Sequence, residues 1–85
     1  MVNLKMKDTF KNILSNRIRF FMIERGLTAE ALAYQSGLSK GGMCEILNGK
    51  KSPSAFTIAK ICSGLNISLE NFYADKAIRE FIEQL

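Results

Sequence analysis

The segment that decides the fold lies between residues 28 and 49 and reads TAEALAYQSGLSKGGMCEILNG. Thr28 and Ser39 are residue types that cap the start of a helix, because the hydroxyl oxygen accepts a hydrogen bond from a first-turn amide. Apolar residues at helical spacing follow each of them. The segment therefore predicts one helix over residues 29–36 and a second over residues 40–47.

A tight turn joins the two predicted helices at Gly37, which can adopt the positive φ that such a corner needs. Ala33 precedes it by four residues, and its small side chain lets the following helix cross closely. The remaining inward positions are apolar: Leu32, Leu38, Met43 and Ile46. This spacing is typical of a helix-turn-helix that reads DNA, here over residues 29–48, and the alternative is a helical hairpin that only packs.

A long helix is predicted before this segment. Asp8 or Thr9 can cap it, and Gly26 ends it after Arg25. Its apolar residues recur on one helical face: Phe10, Leu14, Ile18 and Phe21. Residues 1–7 show no period and carry two lysines, so we predict a flexible basic arm there.

Three more helices are predicted after the segment. The basic loop Lys50-Lys51-Ser52 comes first, and Pro53 suits the opening of a fourth helix. Ser68 caps a short fifth helix, and residues 75–84 form a sixth, amphipathic helix. No stretch alternates with the period of a strand for long enough, so the sequence predicts an all-α fold without internal repeats.

The last predicted helix carries a stripe of large apolar side chains: Ile78, Phe81, Ile82 and Leu85. An isolated helix of this length is marginal in water, so the stripe must dock. One receiving surface is the second apolar side of the first helix, at Ile13, Phe20 and Ile23. The other is the same segment of a second chain. We assign residues 74–85 to packing or dimerisation and prefer the second chain, which predicts a homodimer.

The charge of the chain is unevenly distributed. The 85 residues carry 12 Lys and Arg against 8 Asp and Glu. Residues 1–67 hold ten of the basic and four of the acidic groups, whereas residues 68–85 hold two and four. A basic body with an acidic end suits a polyanion on one face, with ordinary solubilising charge as the alternative.

Several classes of function are disfavoured by composition. There is no His, which removes the commonest general base and metal ligand. Cys44 and Cys62 have no CxxC spacing, so we expect free thiols, no metal site and no disulfide. We find no catalytic set, no cofactor motif, no small-molecule site, no signal peptide and no membrane span. The expectation is a cytoplasmic protein that is not an enzyme.

The chain resembles the Cro/cI-type (Xre-like) helix-turn-helix family. The resemblance is carried by Leu27-Thr28, Leu32-Ala33, Ser36-Gly37-Leu38-Ser39, Ile46-Leu47-Asn48-Gly49-Lys50, Pro53-Ser54 and much of residues 57–72. It implies a five-helix lambda-repressor-like bundle over residues 8–73, with the sixth helix as an addition. It also implies sequence-specific binding of duplex DNA, usually as a dimer, and transcriptional regulation in bacteria or phage.

Members of this family usually read bases from the start and middle of the third helix. The positions here that match are Lys40, Gly41, Cys44, Glu45 and Asn48. Lys40 suits guanine O6 and N7, and Glu45 can accept from cytosine N4. Few side chains of this set can read base edges directly. Shape and backbone contacts then carry more of the binding, or specificity is low, or DNA is not the main ligand.

The sequence offers more candidates for contact with the DNA backbone than for contact with bases. Helix starts offer free amides and a partial positive charge to phosphate. The resemblance assigns this role to Thr28 and Ala29, to Ser39, and to the loop formed by Lys50, Lys51 and Ser52.

The first helix also carries residues that bear on the interface. We expect Arg17 and Arg19 to be solvated or paired rather than bound to phosphate. Many family members pair an Arg on the first helix with a Glu before Asn-Gly, and those positions are Met22 and Leu47 here. A hydrophobic contact in place of an ion pair is often neutral or stabilising.

The leading interpretation is a small transcriptional regulator whose recognition helix, Lys40–Leu47, enters the major groove of DNA. The alternative is a protein-interaction module on the same fold, such as an antitoxin-type partner with weak or no specific DNA binding. Apolar residues expected at the surface leave room for a protein partner: Phe20, Ile23, Phe81 and Leu85.

Overall fold

A computed structural model describes residues 4–85, which form helices and connecting turns without a strand. The helices are α1 (Leu4–Arg25), α2 (Ala29–Ser36), α3 (Lys40–Leu47), α4 (Ala55–Leu65), α5 (Leu69–Tyr73) and α6 (Lys76–Glu83). The all-α prediction and the bounds predicted for the second and third helices are confirmed. None of the helices in this part of the chain combines the length and the apolar character that a bilayer span requires.

Side-chain caps fix where five of the helices begin. The residues whose side chains accept a first-turn amide are Thr28, Ser39, Ser54, Ser68 and Asp75. At the other ends, Gly37 and Asn66 adopt the left-handed conformation that stops α2 and α4, since it turns the chain away from the helix axis. Capping side chains and left-handed residues thus set these helix boundaries through local contacts, independently of the packing of the core.

One apolar cluster joins the helices. Its fully buried members come from all six of the helices named above: Ile18, Leu32, Met43, Ile58, Ile61, Leu65, Phe72 and Ile78. Helix α2 packs on α3 and α4, while α1 packs on α3 and α6. The core therefore fixes α3 from two sides and leaves its remaining surface free.

The start of α1 differs from the prediction. Residues 4–7 are helical, so a flexible arm over that part is wrong, and residues 1–3 lie outside the described part of the chain. Thr9 does not cap the helix, because its hydroxyl donates to the Lys5 carbonyl within α1 at 2.9 Å. The physical reason is tertiary, since Phe10 stacks on Phe81 of α6 with ring centroids 5.1 Å apart. That contact extends support to the first turns of α1.

The start of α4 also differs. The helix begins at Ala55, and Pro53 lies before the cap instead of opening the helix. Ser54 accepts a hydrogen bond from the Thr57 amide at 3.1 Å, and a side-chain cap defines the helix start more strongly than the fixed φ of proline does. The basic loop is consequently longer than predicted.

Helix α6 docks on α1 within the same chain. Ile78 and Phe81 are buried, and Phe81 stacks on Phe10, which lies outside the surface predicted to receive the stripe. Of that predicted surface, Ile13 is half-buried against the core. Phe20 remains 50% exposed and Ile23 82% exposed. Burial of two large side chains, at about 1.5–3 kcal/mol each, is enough to hold a short helix in place.

Candidate nucleic-acid interface

The turn between α2 and α3 has the geometry that its sequence predicts. Gly37 has φ 68°, and the Leu38 amide donates to the Ala33 carbonyl at 2.9 Å. Ala33 is buried, as are Leu32 and the inward residues of α3. The two helices are thus locked together by a closed backbone turn and an apolar wedge.

One face of α3 is buried and the other is turned to solvent. Met43, Ile46 and Leu47 belong to the core. The five residues predicted to face bases have in common that none of them is buried: Lys40, Gly41, Cys44, Glu45 and Asn48. Their spacing of one, four, five and eight residues from the first follows one side of a helix. The structure brings the five together, and their contact with bases stays a prediction.

The side chains on this face differ in what they can offer. Lys40 Nζ lies 3.1 Å from Glu30 Oε2 of α2, and both side chains are largely exposed. An exposed ion pair of this kind contributes about 0–1 kcal/mol, so DNA can displace it at small cost. A Cβ added to Gly41 would meet no atom within 4 Å. The face is therefore open and sparsely occupied, with Lys40 as its one cation.

Helix starts and a basic loop border this face. Thr28 accepts from the Ala31 amide at 3.1 Å, and Ser39 accepts from the Gly42 amide at 3.0 Å. Each cap takes one first-turn amide and leaves others for a ligand. Ala29 is half-buried against the core, so only its backbone can serve as predicted.

The loop after α3 is held against the end of that helix. The Lys50 and Lys51 amides both donate to the Glu45 carbonyl, at 2.9 and 3.3 Å. Lys50, Lys51 and Ser52 are exposed. Two lysines thus stand in a fixed loop directly beside the open face of α3.

The arginines of α1 are paired, as predicted. Arg17 donates to the carbonyls of Asn71, Phe72 and Ala74, and its Nη1 lies 3.6 Å from Asp75 Oδ1. Arg19 Nη2 donates to the Leu47 carbonyl at 2.9 Å. The carbonyl partners are 28 to 57 residues away in the chain, and no sequence signal identified them. Met22 and Leu47 are both buried in the core, in agreement with an apolar contact in place of an ion pair.

The two cysteines are free thiols in different surroundings. Cys44 is partly exposed on α3, whereas Cys62 is buried in α4. Burial raises the pKa of the Cys62 thiol above its ordinary value. The same cause, followed by the charge of Cys62, raises the pKa of Tyr73. Cys44 is therefore the thiol open to reagents.

Comparisons with known proteins agree with this geometry. A family model described as the Cro/C1-type HTH DNA-binding domain matches residues 17–77. An HTH_3 family transcriptional regulator from Vibrio cholerae is 34% identical with a TM-score of 0.76, and the match covers 82% of this chain and 39% of that one. The chain thus spans about two fifths of the length of that relative.

Two further solved structures are similar. The restriction-modification controller protein C.AhdI from Aeromonas hydrophila is 25% identical with a TM-score of 0.71, and the match covers 75% of this chain and 97% of that one. The clp gene regulator ClgR from Corynebacterium glutamicum is 27% identical with a TM-score of 0.73, over 87% and 78% of the two chains. No curated protein matches the chain significantly.

Proposed function

The chain belongs to the Cro/C1-type helix-turn-helix DNA-binding domain family, and we propose that it is a transcriptional regulator that binds duplex DNA through α3. The observation that carries the proposal is the open face of α3. It stands between two capped helix starts and a loop with two exposed lysines. Its family and its solved relatives are DNA-binding regulators, and we assign it no catalytic role.

Phosphate contacts contribute most of the affinity in this proposal. Lys50 and Lys51 bind the DNA backbone on one side of the groove, and the starts of α2 and α3 bind it on the other. Lys40 leaves Glu30 and binds a guanine edge. Because Gly41 and Gly42 bring no side chain to the groove, shape and backbone contacts supply much of the specificity.

A homodimer is the form in which we propose that the protein binds. Ile82 and Leu85 are each 57% exposed, and with Phe81, Phe10 and Met6 they line an apolar groove beside α6. A two-fold contact through this groove would set two copies of α3 about one DNA turn apart, on a palindromic site. As a regulator of bacterial or phage genes, the protein would act in the cytoplasm.

A protein-interaction module is the second candidate. It is favoured by Phe20 and Ile23 of α1, large apolar side chains that remain 50% and 82% exposed. The two candidates differ in whether the purified chain alone selects a duplex from a random pool.

The experiment that tests the proposal compares lysine variants on a duplex selected by the wild-type protein. Lys50→Ala with Lys51→Ala should weaken binding to all sequences and lower the slope of log affinity against log salt by about one to two per subunit. Lys40→Ala should mainly relax sequence preference. The matched control is Lys76→Ala with Arg79→Ala, which removes two exposed charges from α6. The assigned face is wrong if the loop variant binds like the control at several salt concentrations.

A further inference from the structure

The end of α3 is fastened to α1 at one of its free carbonyls. The last carbonyls of a helix have no donor within it, and that of Leu47 accepts from Arg19 Nε at 3.3 Å and Nη2 at 2.9 Å. A guanidinium at a helix C-terminus also meets the negative end of the helix dipole. Arg19 therefore binds the last backbone carbonyl of α3, and its Nη2 also lies 3.5 Å from the side-chain oxygen of Asn48, the residue that follows the helix.

A second contact between α1 and the same turn involves Gly49. Gly49 has φ 71°, and the side chain of Asn12 occupies the place that a Cβ on Gly49 would take. Asn12 and Arg19 are seven residues apart, so they lie on one face of α1, two turns from each other. One side of a long helix thus contacts the turn at both of its ends, Leu47 and Gly49.

The turn held in this way leads directly into the basic loop. The Lys50 and Lys51 amides return to the Glu45 carbonyl, so the path of the loop depends on how α3 ends. The side chains of Met22 and Leu47 are apolar and buried, so neither side chain can make a hydrogen bond there. Among the described residues, Arg19 supplies the hydrogen bonds from α1 to this end of α3, through the Leu47 carbonyl and the Asn48 side chain.

We infer that Arg19 is a positioning residue for DNA binding, which acts by holding the Leu47–Gly49 turn so that Lys50 and Lys51 point at the DNA backbone. The inference rests on the proposed function. Asn12 supports it by packing on Gly49. The rival role for Arg19 is a direct contact with phosphate, which its partly exposed guanidinium does not forbid.

Arg19→Met removes the donors and keeps most of the side-chain stem. The matched control is Arg25→Met, which also removes one cation from α1 but breaks a pair with neighbouring Glu24 and a contact over the Phe21 ring, both within α1. Affinity for the selected duplex is measured over a salt series. Loss of one charge-assisted hydrogen bond predicts an affinity about tenfold below that of the control, with an unchanged salt slope. Hydrogen exchange at the Gly49, Lys50 and Lys51 amides of the free protein should accelerate by a similar factor.

The outcomes are distinguishable. A salt slope that becomes shallower by about one, with exchange unchanged, means that Arg19 touches phosphate and overturns the inference. Affinity and exchange equal to those of Arg25→Met overturn it as well. A wild-type protein that selects no duplex overturns the proposed function and with it the role in binding, while the exchange rates still report whether Arg19 holds the turn.

Discussion

Replacement of Arg17 by Met should separate α5 and α6 from α1. The Arg17 side chain is only 11% exposed. It donates to the Phe72 carbonyl at 2.8 Å, the Asn71 carbonyl at 2.8 Å and the Ala74 carbonyl at 3.3 Å. Its guanidinium also lies over the ring of Phe21 at 4.5 Å. The Arg17 side chain thus binds carbonyls at the end of α5 and pairs with Asp75, the residue that caps α6.

The magnitude follows from these contacts. A hydrogen bond to a charged group contributes about 1.5–3 kcal/mol, and a buried carbonyl left without a donor loses the most. Phe72 is fully buried, whereas Asn71 and Ala74 are exposed and water can replace the guanidinium there. We expect Arg17→Met to lower the free energy of unfolding by about 2–4 kcal/mol. For a domain of this size that is a fall of about 10–25 °C in Tm.

Thermal and urea unfolding followed by far-UV circular dichroism measure this change. Asp75→Asn keeps the capping oxygen and removes only the ion pair, so it should cost less than about 1 kcal/mol. Arg79→Met, on the exposed side of α6, should stay within about 0.5 kcal/mol of wild type. If Arg17→Met and Arg79→Met have the same Tm, the reasoning on the carbonyl contacts is refuted.

Three other variants or conditions test the packing. Gly64→Ala should destabilise by about 1–3 kcal/mol, because its Cβ would stand 3.0 Å from the Ser36 amide nitrogen and force α2 from α4; thermal unfolding checks it. Gly41→Ala should stabilise by up to about 1 kcal/mol, because the new methyl group meets open space and favours the helix; a lower Tm would contradict the described α3. Stability in urea should fall as the pH rises above about 8, because the raised pKa values of Cys62 and Tyr73 mean that the unfolded chain loses these protons first; Cys62→Ala should flatten the decline.

Local signals made the centre of the fold predictable. The bounds of α2 and α3 depend on Thr28, Ser39 and Gly37, whose effects act within a few residues. The open face of α3 followed from the same spacing, because the buried and exposed sides of a helix alternate with its period.

The elements that depend on distant contacts were not predictable. The first turns of α1 are supported by Phe81, which lies 71 residues after Phe10. The sequence showed that the stripe on α6 must dock. It did not show where, because the position of α6 depends on the direction of the chain after α5. Arg17 and Arg19 bind backbone carbonyls, which every residue carries, so no residue type indicates the partner.

Contact between the open face of α3 and DNA is tested most directly by the reactivity of Cys44. This thiol lies on that face, while Cys62 is buried and its pKa is raised, so alkylation by iodoacetamide reports on α3 and Cys44→Ser supplies the blank. The rate is measured by mass spectrometry in the free protein and at saturation with the selected duplex. We predict that alkylation slows in proportion to the fraction of protein bound. Equal rates in the free and the saturated protein would contradict the account.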